Sequence, residues 1–175
     1  KGAHRDLQRA QHPAVVDFLR QVGIRHTARH LVVCPLYHSA APAFAALTLL
    51  VGGTIVLVER FEPEAVLRLI DRERLSSAFF VPTMLRELCA LDDNVRARYD
   101  TSCLRWVLSG AAPLATATAR AFEEKFGAIL YNFYGATETG LVTLALPGEH
   151  TARPGTIGRA LFGNDILLVG EDGQE

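Results

Sequence analysis

Read for the spacing of its apolar positions, the chain falls into short continuous apolar runs and longer stretches of helical periodicity, in near-strict alternation. Residues 31–34, 55–58, 78–81 and 104–108 are short, rich in β-branched, aromatic and leucine side chains, and punctuated by Pro35, Gly53, Pro82 and Gly110. Such runs predict strands buried on both faces. Residues 13–22 carry Val15, Val16, Phe18, Leu19 and Val22 as an apolar stripe, with Gly23 behind them to end a helix. Residues 63–74 turn Val66, Leu67, Leu69 and Ile70 inward and their charges outward, and Pro63 suits the first turn. Residues 43–50 are apolar all round and predict a buried helix. A short helix over 85–91 follows a corner at Pro82, and residues 116–126 form a helix with Phe122 and Phe126 inward, ended by Gly127. Strands alternating with helices predict an α/β fold, a mostly parallel, doubly wound sheet flanked by helices.

One further apolar run, residues 128–134, is expected to stop at Gly135, where Ala136, Thr137, Glu138, Thr139 and Gly140 follow. In open α/β sheets ligands bind just beyond the carboxyl ends of strands. Tyr134 would offer a flat face to a purine, Thr137 a hydroxyl to a phosphate oxygen, and Glu138 a hard anionic oxygen to Mg²⁺. Gly135 would let the backbone approach a ligand closely. A strand end followed by a polar turn needs no ligand at all, so the residues by themselves leave both readings open. Residues 141–146 and 166–169 predict two more strands, with a turn over 147–150, and the polar stretch 92–102 predicts a loop without chemistry.

Composition changes this picture little. The chain has 175 residues, 49% hydrophobic and 21% charged, with a formal net charge of −1. That suits one domain and gives no electrostatic case for nucleic acid or an anionic membrane. Residues 1–30 hold six Lys/Arg and four His against Asp6 and Asp17, which reads as a solvated helix face. Cys34, Cys89 and Cys103 lack metal-site spacing and are expected to be reduced thiols, in keeping with a cytoplasmic protein. The apolar stretch 40–58 is broken by Pro42, Gly52 and Gly53 and is not expected to span a membrane. No G-x-G-x-x-G opens a helix after an early strand, which argues against a dinucleotide-binding domain. Both ends are expected to be cut ends, since no Met opens the chain and residues 170–175 form a turn that normally leads into another strand.

Tyr134-Gly135-Ala136-Thr137-Glu138 resembles the Tyr-Gly-x-Thr-Glu signature of the adenylate-forming, AMP-binding superfamily, which includes acyl-CoA synthetases, peptide-synthetase adenylation domains and luciferases. Further segments resemble that family in the expected order. Lys1-Gly2-Ala3 is similar to the tail of its phosphate loop. Pro35-Leu36-Tyr37-His38-Ser39 is similar to a Pro-x-x-His segment lining the acyl pocket. Pro82-Thr83-Met84-Leu85 resembles a structural corner. Ser109-Gly110-Ala111-Ala112-Pro113-Leu114 resembles a Ser-Gly-Gly-Ala-Pro-Leu turn flanking adenine, with Ala111 in place of a glycine, which requires a compatible φ there. Arg153-Pro154-Gly155-Thr156-Ile157-Gly158-Arg159 resembles the family's Lys/Arg-x-Gly-x-x-Gly segment.

The resemblance implies that residues 1–175 are part of an AMP-binding domain, a central portion of an acyl-CoA synthetase N-terminal domain. Its α/β core would cover about 1–140 and the start of a β-rich sub-region about 141–175. It implies an ATP-dependent ligase that joins a carboxylic acid, a fatty acid in the first instance, to coenzyme A through an acyl-adenylate. In that reading Lys1, Gly110, Ala111, Ala112, Pro113, Tyr134, Gly135 and Thr137 bind the nucleotide, Glu138 holds Mg²⁺, and His38 faces the acyl-carboxylate side. No acid occurs between Val32 and Val58. An amino-acid substrate would call for one to pair with its α-ammonium, so a carboxylate without an α-amino group is favoured. The family's downstream ribose-binding Asp and C-terminal Lys do not occur before Glu175, so the 175 residues alone are expected to be inactive. Two alternatives stay open at this point: an adenylation domain that loads a carrier protein, and a noncatalytic nucleotide-binding α/β module.

Overall fold

A computed structural model of the chain describes residues 13–173. Helix α1 (Pro13–Val22) ends at Gly23, whose φ of 78° only glycine adopts at no steric cost. Strand β1 (Arg29–Val32), helix α2 (Ala40–Leu50), strand β2 (Thr54–Leu57), helix α3 (Pro63–Glu73) and strand β3 (Ser77–Phe80) follow. Next come helix α4 (Pro82–Ala90), the single turn α5 (Asp93–Arg96), strand β4 (Trp106–Ser109) and helix α6 (Thr116–Phe126). Strands β5 (Leu130–Ala136) and β6 (Gly140–Ala145), the short α7 (Glu149–Ala152) and the two-residue strand β7 (Arg159–Ala160) complete the order.

The strands form one sheet in the order β2-β1-β3-β4-β5-β6-β7. The first five are parallel, and β6 and β7 add on antiparallel. The α/β class with flanking helices, mostly parallel, is therefore as expected. The connection from β1 runs one way to β2, and every later parallel crossover runs the other way. Right-handed crossovers then place α2 on one face and α3, α4 and α6 on the other. Side chains agree: Phe79 meets Phe44 of α2 at 5.4 Å, while its neighbour Phe80 meets Phe61, ahead of α3, at 6.3 Å. On the α3/α4/α6 side, Val66, Leu67, Ile70, Leu85, Leu88, Ala119 and Phe122 are all buried. On the α2 side, Phe18 of α1 stacks on Phe44 at 6.1 Å. Strands β3 and β4 are buried at every position. Among the described residues no helix is long and apolar enough to cross a membrane.

Four expectations need correction. Strand β5 does not stop at Gly135 but runs to Ala136 and turns back into β6, so the Tyr134–Glu138 signature caps a β-hairpin. A Cβ on Gly135 would lie 2.1 Å from the Gly140 carbonyl oxygen, so the absent side chain is what lets the two backbones close. Helix α2 is apolar all round yet only half buried: Ala41, Phe44, Ala45 and Thr48 face inward, and Leu50 is 81% exposed. Residues 166–169 form no strand: they pair with neither β6, whose outer edge β7 takes, nor β7, and all four side chains are exposed. The loop 92–102 contains the turn α5, nucleated where the Asp92 carboxylate accepts from the Asn94 N–H at 2.8 Å.

Candidate functional site

The order β2-β1-β3 reverses direction at β1, and a cleft at the carboxyl end of such a sheet is where an open α/β fold takes a ligand. A cavity of about 700 Å³ lies there. Its floor is a cluster of three buried rings, Phe44, Phe79 and Phe133, with centroids 5.4, 5.7 and 5.8 Å apart. Cys34 and Met84 close one side, with sulfurs 3.8 Å apart. Burial pushes the Cys34 thiol pKa up, so it stays protonated and behaves as an apolar wall. Among the described residues no Asp, Glu, Lys or Arg lines the cavity.

Three loops make the rim. Beyond β1 the chain turns at Pro35, where the His38 N–H donates to the Pro35 carbonyl at 3.1 Å. His38 lies at the cavity mouth, its ring 4.5 Å from that of the exposed Tyr37. Beyond β4, Gly110 fits under the Phe133 ring, where a Cβ would come within 2.6 Å. Ala111 follows at φ 66°, in the left-handed region a non-glycine residue enters at a cost. The glycine it replaces in the related turn is therefore not conformationally idle, and Ala111 lines the cavity. The third loop is the β5–β6 hairpin tip. There the Ala136 N–H donates to the Thr139 hydroxyl at 3.1 Å, and Thr137 meets the Ser39 hydroxyl, oxygen to oxygen, at 3.1 Å.

Of the residues singled out from sequence, His38, Ala111, Gly135 and Thr137 come together on this cavity. Gly110, Ala112 and Pro113 sit beside Ala111 without lining it. Tyr134 lies next to Gly135, in register with Thr143 of β6, and is 55% exposed. Alternation along β5 turns Tyr134 away from the face that carries Phe133, so it borders the cavity region from the other side of the strand. Glu138 is exposed at the hairpin tip. Lys1 lies outside the described residues.

The Arg153–Arg159 segment packs against β6, the partner strand of β5. Thr143 donates its hydroxyl to the Ile157 carbonyl, and a Cβ on Gly158 would fall 2.1 Å from the backbone of Leu144 and Ala145. The two glycine-bearing segments are thus parts of one construction. The Asn164 amide donates to the carbonyls of Leu141 and Val142 at 3.0 and 3.1 Å and ties the following loop to β6.

Sequence reasoning missed the ring floor, Ser39 and Asn132. Asn132 is 5% exposed, two residues before Tyr134 on the same face, and its Oδ1 is buried without a partner, as is the Oγ of its register neighbour Ser109. An Asn inside an otherwise apolar run was the available signal.

Residues 7–175 match the family described as AMP-binding enzyme. The feruloyl-CoA synthase of an Amycolatopsis species is 36% identical over 162 residues, covering 91% of this chain and 32% of the relative. The amide bond synthetase McbA from Marinactinospora thermotolerans superposes with a TM-score of 0.81 at 31% identity, covering 92% of this chain and 33% of that one. The N-terminal domain of FACL13 from Mycobacterium tuberculosis superposes with a TM-score of 0.79 at 26% identity, covering 91% of this chain and 40% of that one. The chain thus spans about a third of the length of the curated relative it matches.

Proposed function

The chain belongs to the AMP-binding enzyme family, and from that premise we propose that it is the nucleotide- and acyl-binding part of an ATP-dependent carboxylate–CoA ligase. The observation that carries this reading is the uncharged cavity of about 700 Å³ whose rim gathers His38, Ala111, Gly135 and Thr137 at the carboxyl ends of β1, β4 and β5. The acid's apolar tail lies on Phe44, Phe79 and Phe133. Among the described residues no carboxylate lines the cavity to pair with an α-ammonium, which supports an acid without an amino group, a fatty acid in the first instance.

The nucleotide lies along the hairpin and the Gly110–Pro113 turn. Tyr134 stacks on adenine, and the buried, unpartnered Asn132 Oδ1 on the same face is placed to accept from an amino group. Thr137 donates to the α-phosphate. Glu138 is a single exposed carboxylate, and no group of three acidic, His or Cys side chains occurs among the described residues. That suits Mg²⁺, which keeps waters and binds through one or two carboxylates plus substrate phosphates. In the first half-reaction the acid's carboxylate attacks the α-phosphate and pyrophosphate leaves. In the second, the thiol of coenzyme A attacks the acyl carbon and AMP leaves. The chain's own part is positioning and charge stabilisation. Three free cysteines support the accompanying cytoplasmic placement.

The test is pyrophosphate release by the full-length protein with ATP and a panel of straight-chain and ring-bearing acids, with coenzyme A as acceptor. Release that depends on the acid, with thioester formed, is expected; release indifferent to the acid would overturn the reading. An amine or a carrier-protein thiol in place of coenzyme A separates other acceptors, the amine being suggested by the likeness to an amide bond synthetase. Tyr134→Ala is expected to weaken AMP binding about 10- to 100-fold, the worth of one base–aromatic stack.

A further inference from the structure

Ser39 occupies the N-cap of α2, where a serine ordinarily turns its hydroxyl back to a first-turn N–H. Here it makes no such bond. The hydroxyl reaches instead across 98 residues of sequence to Thr137, 3.1 Å away, and both residues line the cavity. Among the described residues it is the one side-chain hydrogen bond that joins the β1–α2 loop to the hairpin tip. The backbone at Ser39 is helical (φ −52°, ψ −34°), which takes its hydroxyl off the helix end and leaves it to meet Thr137.

We propose that Ser39 is a positioning residue for Thr137, holding its hydroxyl toward the phosphate site from the other side of the cavity mouth. The inference rests on the reading of Thr137 as a phosphate donor. A hydroxyl carries one proton and two lone pairs. When Thr137 donates to a phosphate oxygen, Ser39 donates to Thr137, so the second bond fixes the threonine rotamer and polarises its O–H. An isolated Thr137 on an exposed hairpin tip has its rotamers free, and ordering them would weaken every phosphate contact it makes.

The experiment uses the full-length protein and the variants Ser39→Ala, Ser39→Thr and Thr137→Val, singly and as the Ser39→Ala/Thr137→Val double. Adenylation is followed by acid-dependent pyrophosphate exchange at varied ATP and varied acid. Ser39→Ala is expected to lower kcat/KM for ATP about five- to tenfold, the scale of one neutral hydrogen bond, with KM for the acid unchanged. Ser39→Thr, which keeps the hydroxyl, should restore most of it. Ser39→Ala should add nothing once Thr137 is Val. Thermal unfolding should move little in Ser39→Ala, because the one bond its hydroxyl makes is solvent-exposed. If Thr137→Val is itself silent, the phosphate reading of Thr137 fails. If Thr137→Val is damaging while Ser39→Ala is silent, or their effects multiply in the double variant, Ser39 does not act through Thr137 and the inference is overturned.

Discussion

The parallel core and the β5–β6 hairpin tip are neighbours in one sheet but are specified by different physics. In β3 and β4 every residue is buried, and Phe122 of α6 seals the face opposite the cavity with 1% exposure, stacked on Phe126 at 4.6 Å. Identity there is set by volume and apolarity. At the hairpin tip residues 136–140 are exposed, and identity is set by how near two backbones must come, as Gly135 shows. Burial is concentrated in the first region and the groups proposed to face a ligand in the second, the division expected when binding residues are carried on loops over a rigid scaffold.

The largest effect that would test this division is on stability. Phe122→Ala should cost about 3–5 kcal/mol by urea unfolding, the sum of lost transfer energy and an unfilled cavity. Thr137→Ala should stay within about 0.5 kcal/mol of the parent, because an exposed tip residue removes no packing. Equal losses at the two sites would erase the distinction.

A second test lies in two buried histidines, His30 on β1 and His150 on α7, whose pKa values burial lowers. His30 is 1% exposed, stacks on Trp106 at 5.2 Å and meets Ser77 Oγ through Nδ1 at 3.0 Å. Burial lowers its pKa to about 4 from the ordinary 6.5. The folded state therefore binds fewer protons than the unfolded one below pH 6.5. This contribution to stability is fully present above that pH and is lost as pH falls toward about 4, by roughly 3 kcal/mol in all. His150, 4% exposed with neither ring nitrogen partnered, is lowered by burial and acts in the same direction. His30→Asn keeps a polar partner for Ser77 and removes the titration. Its unfolding free energy should fall less steeply between pH 6.5 and 4, and an unchanged slope would show that His30 is not buried neutral.

The same division explains what could be read from the residues. The continuous apolar runs located β1, β2 and β3, but each strand starts one or two residues earlier than its run. Polar residues open them: Arg29 and His30, Thr54, and Ser77. Arg29 N–H bonds Ser76 Oγ at 2.9 Å and His30 bonds Ser77, so cross-strand pairing satisfies polar groups that an apolar pattern leaves out. At the site, His38, Ala111, Gly135 and Thr137 could be picked out because each lies in a short segment with a recognisable order. The hairpin could not, since its closure depends on Gly135 meeting the Gly140 carbonyl rather than on alternation. Nor could the ring floor, whose three members come from α2, β3 and β5, or the Ser39–Thr137 bond across 98 positions. Residues 166–169 show the converse: an apolar run by itself makes no strand, and these four side chains stay exposed without pairing to any strand.

The smallest expected effect concerns Ala111, where the two regimes meet at the end of β4. Its φ of 66° costs an alanine about 1–2 kcal/mol relative to glycine, whereas glycine gives the unfolded chain about 0.5–1 kcal/mol more entropy to lose. Ala111→Gly should therefore stabilise the protein by up to about 1 kcal/mol, read as a rise of a few degrees in Tm. Ala111 also lines the cavity, so AMP affinity is measured on the same variant. A more stable protein that binds AMP less well would show that the strained alanine is kept for the shape of the rim. A less stable protein would mean the methyl packs well enough to outweigh its backbone, which would place Ala111 with the core residues and move the boundary between the two regions to the hairpin side of it.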